Sequence, residues 1–299
     1  MLKHSFLASA LFSLATSPAF AQTESLEQRI NRLLVAKKAT IGISIYCFET
    51  KEAVSINGNE HFPMLSVFKL HIAMAVLNEI DKGRFSLNQR IHVKPEDLLP
   101  DLFSPLRDEY PNGNAKIPLA KIIEYTVGKS DNSGCEILLE LIGGTQMVNK
   151  YFRKAGMKDI CIQVNEEEMH KNWNDQFLNW TTPVSAVEVL KLIYSRKLLS
   201  KTSSDFLWNS MAATSTAGKR IKGNIPVDAV VAHKTGTGRT NQQGITAAVN
   251  DIGIVASPNG RHFAVSVFVA NSLENIETNE KVIADITRLA YDYFLTSSK

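Results

Sequence analysis

Beyond residue 21 the chain has no apolar run near the ~20 residues a membrane-spanning helix needs, so no membrane anchor is expected. It also lacks any strong charge bias: 33 Lys and Arg against 30 Asp and Glu give a formal net charge of +3. No Lys/Arg-rich block and no basic stripe interleaved with aromatics occurs, which argues against a nucleic-acid partner. Cysteine is scarce. Cys47, Cys135 and Cys161 are odd in number, and their spacing resembles no metal site. Cys47 falls in a strand-like apolar run and Cys135 in a helical one, which favours buried free thiols. A Cys135–Cys161 bridge stays open as the alternative. The seven histidines include no H-x-x-x-H, H-E-x-x-H or H-x-H spacing, so a metallohydrolase is disfavoured and no metal or cofactor is called for. No serine sits in a G-x-S-x-G string, which counts against an α/β-hydrolase. Internal repeats and low-complexity linkers are absent as well.

What is present is ordinary globular material, 44% hydrophobic and 21% charged over 299 residues, enough for one large or two modest domains. Its first residues read differently. Lys3 precedes an apolar stretch over 6–14, and Ala19-Phe20-Ala21 supplies a small-x-small cleavage site. Residues 1–21 are therefore expected to be a secretory signal peptide, and the mature chain, starting at Gln22, to be exported and soluble.

Apolar periodicity predicts a helix over 24–37, then strands in "TIGISIYCF" and over 53–56. From 67 to 80 apolar residues occupy every side of the helical wheel, the mark of a helix buried all round. Helices are expected over 119–127, 132–142, 146–155, 184–194 and 203–213, with Gly143-Gly144 and Gly156 as stops. The chain then turns to strands in "AVVAHKTG", "GITAAVNDIGIVA" and "HFAVSVFVA", with Pro258-Asn259-Gly260 as a hairpin turn and a last helix over 279–294. Strands near both ends with helices between predict an α+β fold. An antiparallel sheet is built from residues 22–65 and 214–299, and a mostly helical unit of residues 66–213 is inserted in it. The cleft between the two is the default site.

Chemistry concentrates in short strings. Ser66-Val67-Phe68-Lys69 places a hydroxyl and an amine one helical turn apart on one face. Free N–H groups at the start of a buried helix favour a developing oxyanion, and a desolvated lysine can accept the serine proton. About one such S-x-x-K match is expected by chance at ordinary Ser and Lys usage, so a capping serine beside a surface lysine is the bland alternative. Ser130-Asp131-Asn132 opens a second helix, where Ser or Asp serves equally as an N-cap. Lys234-Thr235-Gly236 lies in an apolar strand, an unusual place for lysine, and Gly236 lets a ligand approach the backbone.

In this order the strings resemble the active-site set of the serine β-lactamases and penicillin-binding proteins. The likeness covers essentially the whole mature chain and points to class A. "GGT", "TTP" at 181–183 and "RIKG" at 220–223 resemble its PER- and VEB-type extended-spectrum branch. The resemblance implies Ser66 as nucleophile, Lys69 as its activating partner and Ser130 as proton donor to the leaving lactam nitrogen. Asn132 would bind the substrate's side-chain amide, while Lys234 and Thr235 would bind its carboxylate, with Arg220 as a second cation; a solvated arginine is the alternative there. Backbone N–H groups of Ser66 and Thr237 would form an oxyanion hole, worth about 3 kcal/mol per donor. Phe103 is either an aromatic wall of the cleft or a packing residue.

A β-lactamase must also hydrolyse its acyl-enzyme. The class A pattern E-x-x-L-N, set on "EEEMH", selects Glu166 as the base, with Met169 against the Leu and His170 against the Asn. Glu167 and Glu168 are then a solvated pair. The family's Arg–Asp loop tether would fall on Val164 and Asn179, which are uncharged, and Glu136 replaces an asparagine that supports the loop. Such a rearranged loop, with the Thr237 hydroxyl, implies room for oxyimino cephalosporins. The implied product is a monomeric, periplasmic enzyme acting on β-lactams. A D-Ala-D-Ala carboxypeptidase and a tethered β-lactam sensor share the acylating residues, but each lacks a deacylating glutamate or needs a membrane span.

Overall fold

The computed structural model describes residues 24–296, so the expected signal peptide lies outside the described residues. Helix α1 (Leu26–Leu34) and strands β1 (Thr40–Cys47) and β2 (Ala53–Ile56) begin the fold, followed by the short β3 (Phe62–Pro63). Helix α2 (Phe68–Asp81) comes next, then β4 (Arg90–Val93), α3 (Pro105–Glu109) and β5 (Ala115–Pro118). Helices α4 (Leu119–Gly128), α5 (Asn132–Ile142) and α6 (Thr145–Lys154) precede β6 (Ile160–Cys161), α7 (Glu166–Lys171) and β7 (Trp180–Thr181). Helices α8 (Pro183–Tyr194) and α9 (Lys201–Ala212) lead to β8 (Val230–Thr237), β9 (Thr246–Ala256), β10 (His262–Ser272) and α10 (Ile276–Thr296).

The main sheet has the order β2-β1-β10-β9-β8 and is antiparallel throughout. It joins both ends of the chain: Ile43 of β1 faces Val267 of β10, Val267 faces Asp251 of β9, and Asp251 faces Thr235 of β8. On one side Ile43, Ile45, Val265 and Val267 pack with Leu26 and Ile30 of α1 and with Ile283, Ile286 and Phe294 of α10. On the other, Ile252, Ile254 and Phe268 join the larger core of the helical layer. With both faces covered, β9 and β10 are buried almost continuously rather than on alternate residues. Each of these aliphatic side chains contributes about 1.5–3 kcal/mol by leaving water.

Helix α2 is the axis of the helical layer. It is buried from Phe68 to Leu77 and packed by α4, α5, α6 and α9, so apolar residues on every side are what its surroundings require. Helix α5 begins at Asp131, whose carboxylate accepts from Gly134 N, and stops at Gly143, which takes a left-handed φ of +95°.

The long helices and strands match the sequence expectations to within a few residues. The pairs β4–β5 and β3–β7–β6 and the short α3 were not anticipated. They are too short to show a period, and their partners are distant in sequence. Cys47 and Cys135 are buried, Cys161 is half-buried, and all three are free, so the Cys135–Cys161 bridge does not form. Among the described residues no helix is long and apolar enough to cross a membrane.

Candidate active site

Ser66 lies in a single 3-10 turn, Leu65–Val67, that runs straight into α2. Met64 N donates to Asn179 O at 2.8 Å, and Asn250 Nδ2 donates to Pro63 O at 2.7 Å and to Met64 O at 3.2 Å. From the other side β8 presses close: a Cβ on Gly236 would sit 2.5 Å from Met64 O and 3.3 Å from Ser66 N. Leu65 is held at φ +46° by these contacts, a conformation that costs a non-glycine residue about 1–3 kcal/mol. The turn before the candidate nucleophile is therefore strained, and Ser66 lines the cleft.

One turn on, Lys69 is wholly buried. Its Nζ lies 3.0 Å from Ser66 Oγ, 2.9 Å from Ser130 O, 2.5 Å from Asn132 Oδ1 and 2.8 Å from Glu166 Oε1. An ammonium has only three protons to share among these oxygens, and its Nζ bridges Ser66 Oγ and Glu166 Oε1. Beyond Lys69 and a His170 Nδ1 at 3.6 Å, the buried Glu166 carboxylate finds no hydrogen-bond partner among the described residues. Its remaining lone pairs are available to a ligand in the cleft, which Glu166 lines.

Ser130 sits at φ +59° immediately before the α5 cap. Lys234 Nζ donates to Ser130 Oγ at 2.9 Å and to Thr235 O at 2.8 Å. Burial, reinforced by the nearby Lys69 charge, pushes the Lys234 ammonium well below its ordinary range. The Thr235 hydroxyl is 2.8 Å from that of Thr216, a cleft residue the sequence did not single out.

Arg220 is not a solvated arginine, for it is 2% exposed. Its Nη1 donates to Gly236 O and Asn250 O, both at 2.9 Å, and its Nη2 to Thr237 Oγ1 at 2.7 Å. Glu280 accepts from its Nε at 3.2 Å. Phe103 is 59% exposed and lines the cleft, which rules out simple packing. Its carbonyl accepts from Asn132 N at 3.2 Å, and Asp131 fastens the same segment by accepting from Ser104 Oγ and Leu106 N.

In the acidic run Glu166 is buried while Glu167 and Glu168 are exposed. Glu168 serves α7 instead, completing a capping box with Asn165. Where an ion pair would tether the loop, the neutral Asn179 side chain accepts from Gln163 N and Val164 N and donates to Val164 O. Glu136 Oε1 accepts from Glu166 N at 2.6 Å, and burial, with the neighbouring Glu166 charge, raises its carboxyl to about 7. His170 Nδ1 lies 2.7 Å from Glu166 O, where it acts as the donor. The sequence reading missed Asn250, Glu280, Gln176 and Arg239. A polar Asn250 amid the apolar β9 was the one legible signal.

These groups meet in a cleft of about 560 Å³, with Ser66, Ser130, Asn132, Glu166 and Thr235 on its walls. Lys69, Lys234 and Gly236 are buried behind them. The set places a hydroxyl against a buried lysine, a second buried lysine on the Ser130 hydroxyl, an arginine on the Thr237 hydroxyl, and a buried carboxylate at the cleft wall. The sequence model of the β-lactamase enzyme family matches residues 25–294. The chain belongs to that family.

It is a class A serine β-lactamase, a hydrolase of β-lactams that confers antibiotic resistance. The β-lactamase VEB-1 of Pseudomonas aeruginosa is 48% identical over 277 residues, covering 92% of each chain. The extended-spectrum β-lactamase PER-1 of the same organism is 39% identical over 275 residues, 92% of this chain and 89% of that one. The crystal structure of the TLA-3 extended-spectrum β-lactamase superposes with a TM-score of 0.89 at 47% identity, covering 91% of this chain and 98% of the other. The mixed fold of helices around an antiparallel sheet is the one these enzymes share.

Proposed function

We propose that this β-lactamase works through a Ser66 ester that Glu166 clears, and that it accepts oxyimino cephalosporins. The observation that carries the reading is the position of Lys69 Nζ, within 3.0 Å of both Ser66 Oγ and Glu166 Oε1. Ser66 Oγ adds to the lactam carbonyl carbon while its proton passes to the Lys69–Glu166 pair. Backbone N–H groups of Ser66 and Thr237 hold the oxyanion. The C–N bond then breaks as Ser130 gives its proton to the nitrogen under the field of Lys234. The proton taken from Ser66 passes on from the Lys69–Glu166 pair to Ser130, leaving Glu166 ionised again. Lys234, Thr235 and Arg220 hold the substrate carboxylate, Asn132 its side-chain amide, and Phe103 walls the cleft. A water then attacks the ester, Glu166 takes its proton, and Ser66 leaves with its hydrogen restored.

His170 keeps its Nδ1 on Glu166 O, so only its other ring nitrogen can meet that water. The neutral Asn179 tether and the Thr237 hydroxyl support the wider spectrum, as do the extended-spectrum names of PER-1 and TLA-3. Export to the periplasm as a monomer, and a division into a sheet domain of residues 22–65 and 214–299 around a helical domain of residues 66–213, belong to the same reading. Turnover of a chromogenic cephalosporin by wild type, Glu166→Ala and Glu167→Ala tests the mechanism. Glu166→Ala is expected to give a stoichiometric burst and then stop, while Glu167→Ala turns over normally. Equal loss in both variants would sink the assignment, and inert cefotaxime and ceftazidime would sink the spectrum.

A further inference from the structure

The loop carrying Glu166 is docked on the tip of β8 by contacts outside the set described above. Gln176 is 1% exposed; its Oε1 accepts from Arg239 N at 2.7 Å and its Nε2 donates to Trp173 O at 3.0 Å. Gly238 lets β9 and this carboxamide come close, since a Cβ there would lie 2.9 Å from Ala247 Cβ and Ala248 N and 3.1 Å from Gln176 Oε1. The Arg239 guanidinium then reaches along the loop, Nη1 donating to His170 O at 3.0 Å and Nη2 to Asn172 O at 2.6 Å. Those carbonyls end α7, where unsatisfied C=O groups carry partial negative charge and a cation is favoured. Glu166 is the first residue of the same helix. Its far end is thus gripped by a planar fork, a geometry that an ammonium cannot reproduce. The base of the loop is closed by the β6–β7 pairing and by the neutral Asn179 amide, with no ion pair among the described residues there.

We infer that Arg239 is a positioning residue for deacylation, fixing α7 so that Glu166 and His170 address the acyl ester. Arg239 acts through the helix and is not itself placed on the reacting atoms. The inference rests on the reading of Glu166 as the deacylating base. Acylation depends on Ser66, Lys69 and Ser130, in the turn before α2, in α2 and just before α5, and meets α7 only through the Lys69–Glu166 pair. Loss of the fork should therefore slow deacylation more than acylation.

Stopped-flow hydrolysis of a chromogenic cephalosporin, with mass spectrometry of the enzyme during turnover, separates the two steps. Arg239→Ala is expected to slow deacylation about tenfold, short of the ~100-fold that a 1 Å misplacement of a reacting group costs. The acylation rate constant falls less than the deacylation rate constant and the acyl-enzyme fraction rises. In steady state kcat and KM then fall together, and kcat/KM falls less than kcat. A variant that is merely less well folded would lower kcat and leave KM where it was. Arg239→Lys, which keeps the charge without the fork, recovers part of the loss. Glu166→Ala in parallel separates the two claims. If it traps the ester while Arg239→Ala shows no change in the kcat-to-KM split, the clamp is wrong. If Glu166→Ala turns over freely, the assignment of Glu166 is what fails.

Discussion

Lys69 Nζ and Glu166 Oε1 lie 2.8 Å apart, and both side chains are closed to solvent. Two opposite charges taken out of water offset each other only while both are present. Their pairing links the helix that starts at Ser66 to the loop that carries the acidic run.

Lys69→Met is therefore expected to abolish acylation and to destabilise the fold by about 3–5 kcal/mol, because Glu166 is left buried and unpaired. Adding Glu166→Leu should restore much of that stability but none of the activity. Urea denaturation of the single and double variants measures the coupling; additive losses would contradict it.

Glu136 sets a pH dependence. Its carboxyl rises from 4.5 to about 7 because it is buried beside Glu166. The folded state holds this proton more tightly than the unfolded chain. Its contribution is complete below pH 4.5 and is lost as pH rises through about 7, by at most about 3 kcal/mol. Glu136→Gln keeps an acceptor for Glu166 N and has no proton to lose. The variant should match wild type at pH 5 and exceed it at pH 8 in urea titrations.

Gly236→Ala tests the approach of β8 to the nucleophile turn. A Cβ 2.5 Å from Met64 O cannot be accommodated without shifting one of the two backbones. Such a displacement at Ser66 is expected to lower kcat/KM by about 100-fold, with loss of thermal stability. Normal kinetics from a folded variant would show the contact to be slack.

Arg220→Ala removes a buried cation that ties Gly236 O, Asn250 O and Thr237 Oγ1 together. Raised KM for carboxylate-bearing substrates is expected, by about tenfold for a lost charge-assisted contact. Lower stability should follow, since Glu280 loses its partner. Substrates esterified at that carboxylate should show no such KM penalty.

The parts of this site that could be read in advance are those written locally. Ser66 and Lys69 are one turn apart, and the helix that carries them declares itself by apolar residues on every side. Lys234 stands out because lysine seldom enters a buried strand. Glu166 was singled out from Glu167 and Glu168 only by the resemblance, whose E-x-x-L-N pattern falls on Met169 and His170; of the three it is the buried one. Gln176 and Arg239 could not be read in advance, and Asn250 showed only as a polar residue in an apolar strand, because an amide or surface arginine acquires its role only when β9 and β8 are brought against distant turns. The burial of Arg220 was equally hidden, for it depends on Asn250 O and Glu280 from other elements.

The pairing of β1 with β10, which sets Thr40 opposite Ala270, also bears on how the enzyme comes to exist. A sheet whose central partners lie at opposite ends of the sequence cannot zip up while the chain is still being made. Contacts of such long separation form late and slowly. Lys234 and Thr235 reach Ser130 and the nucleophile turn only through that sheet. A chain missing its last strand should thus carry every residue of the acylating set and still have no antibiotic-destroying power.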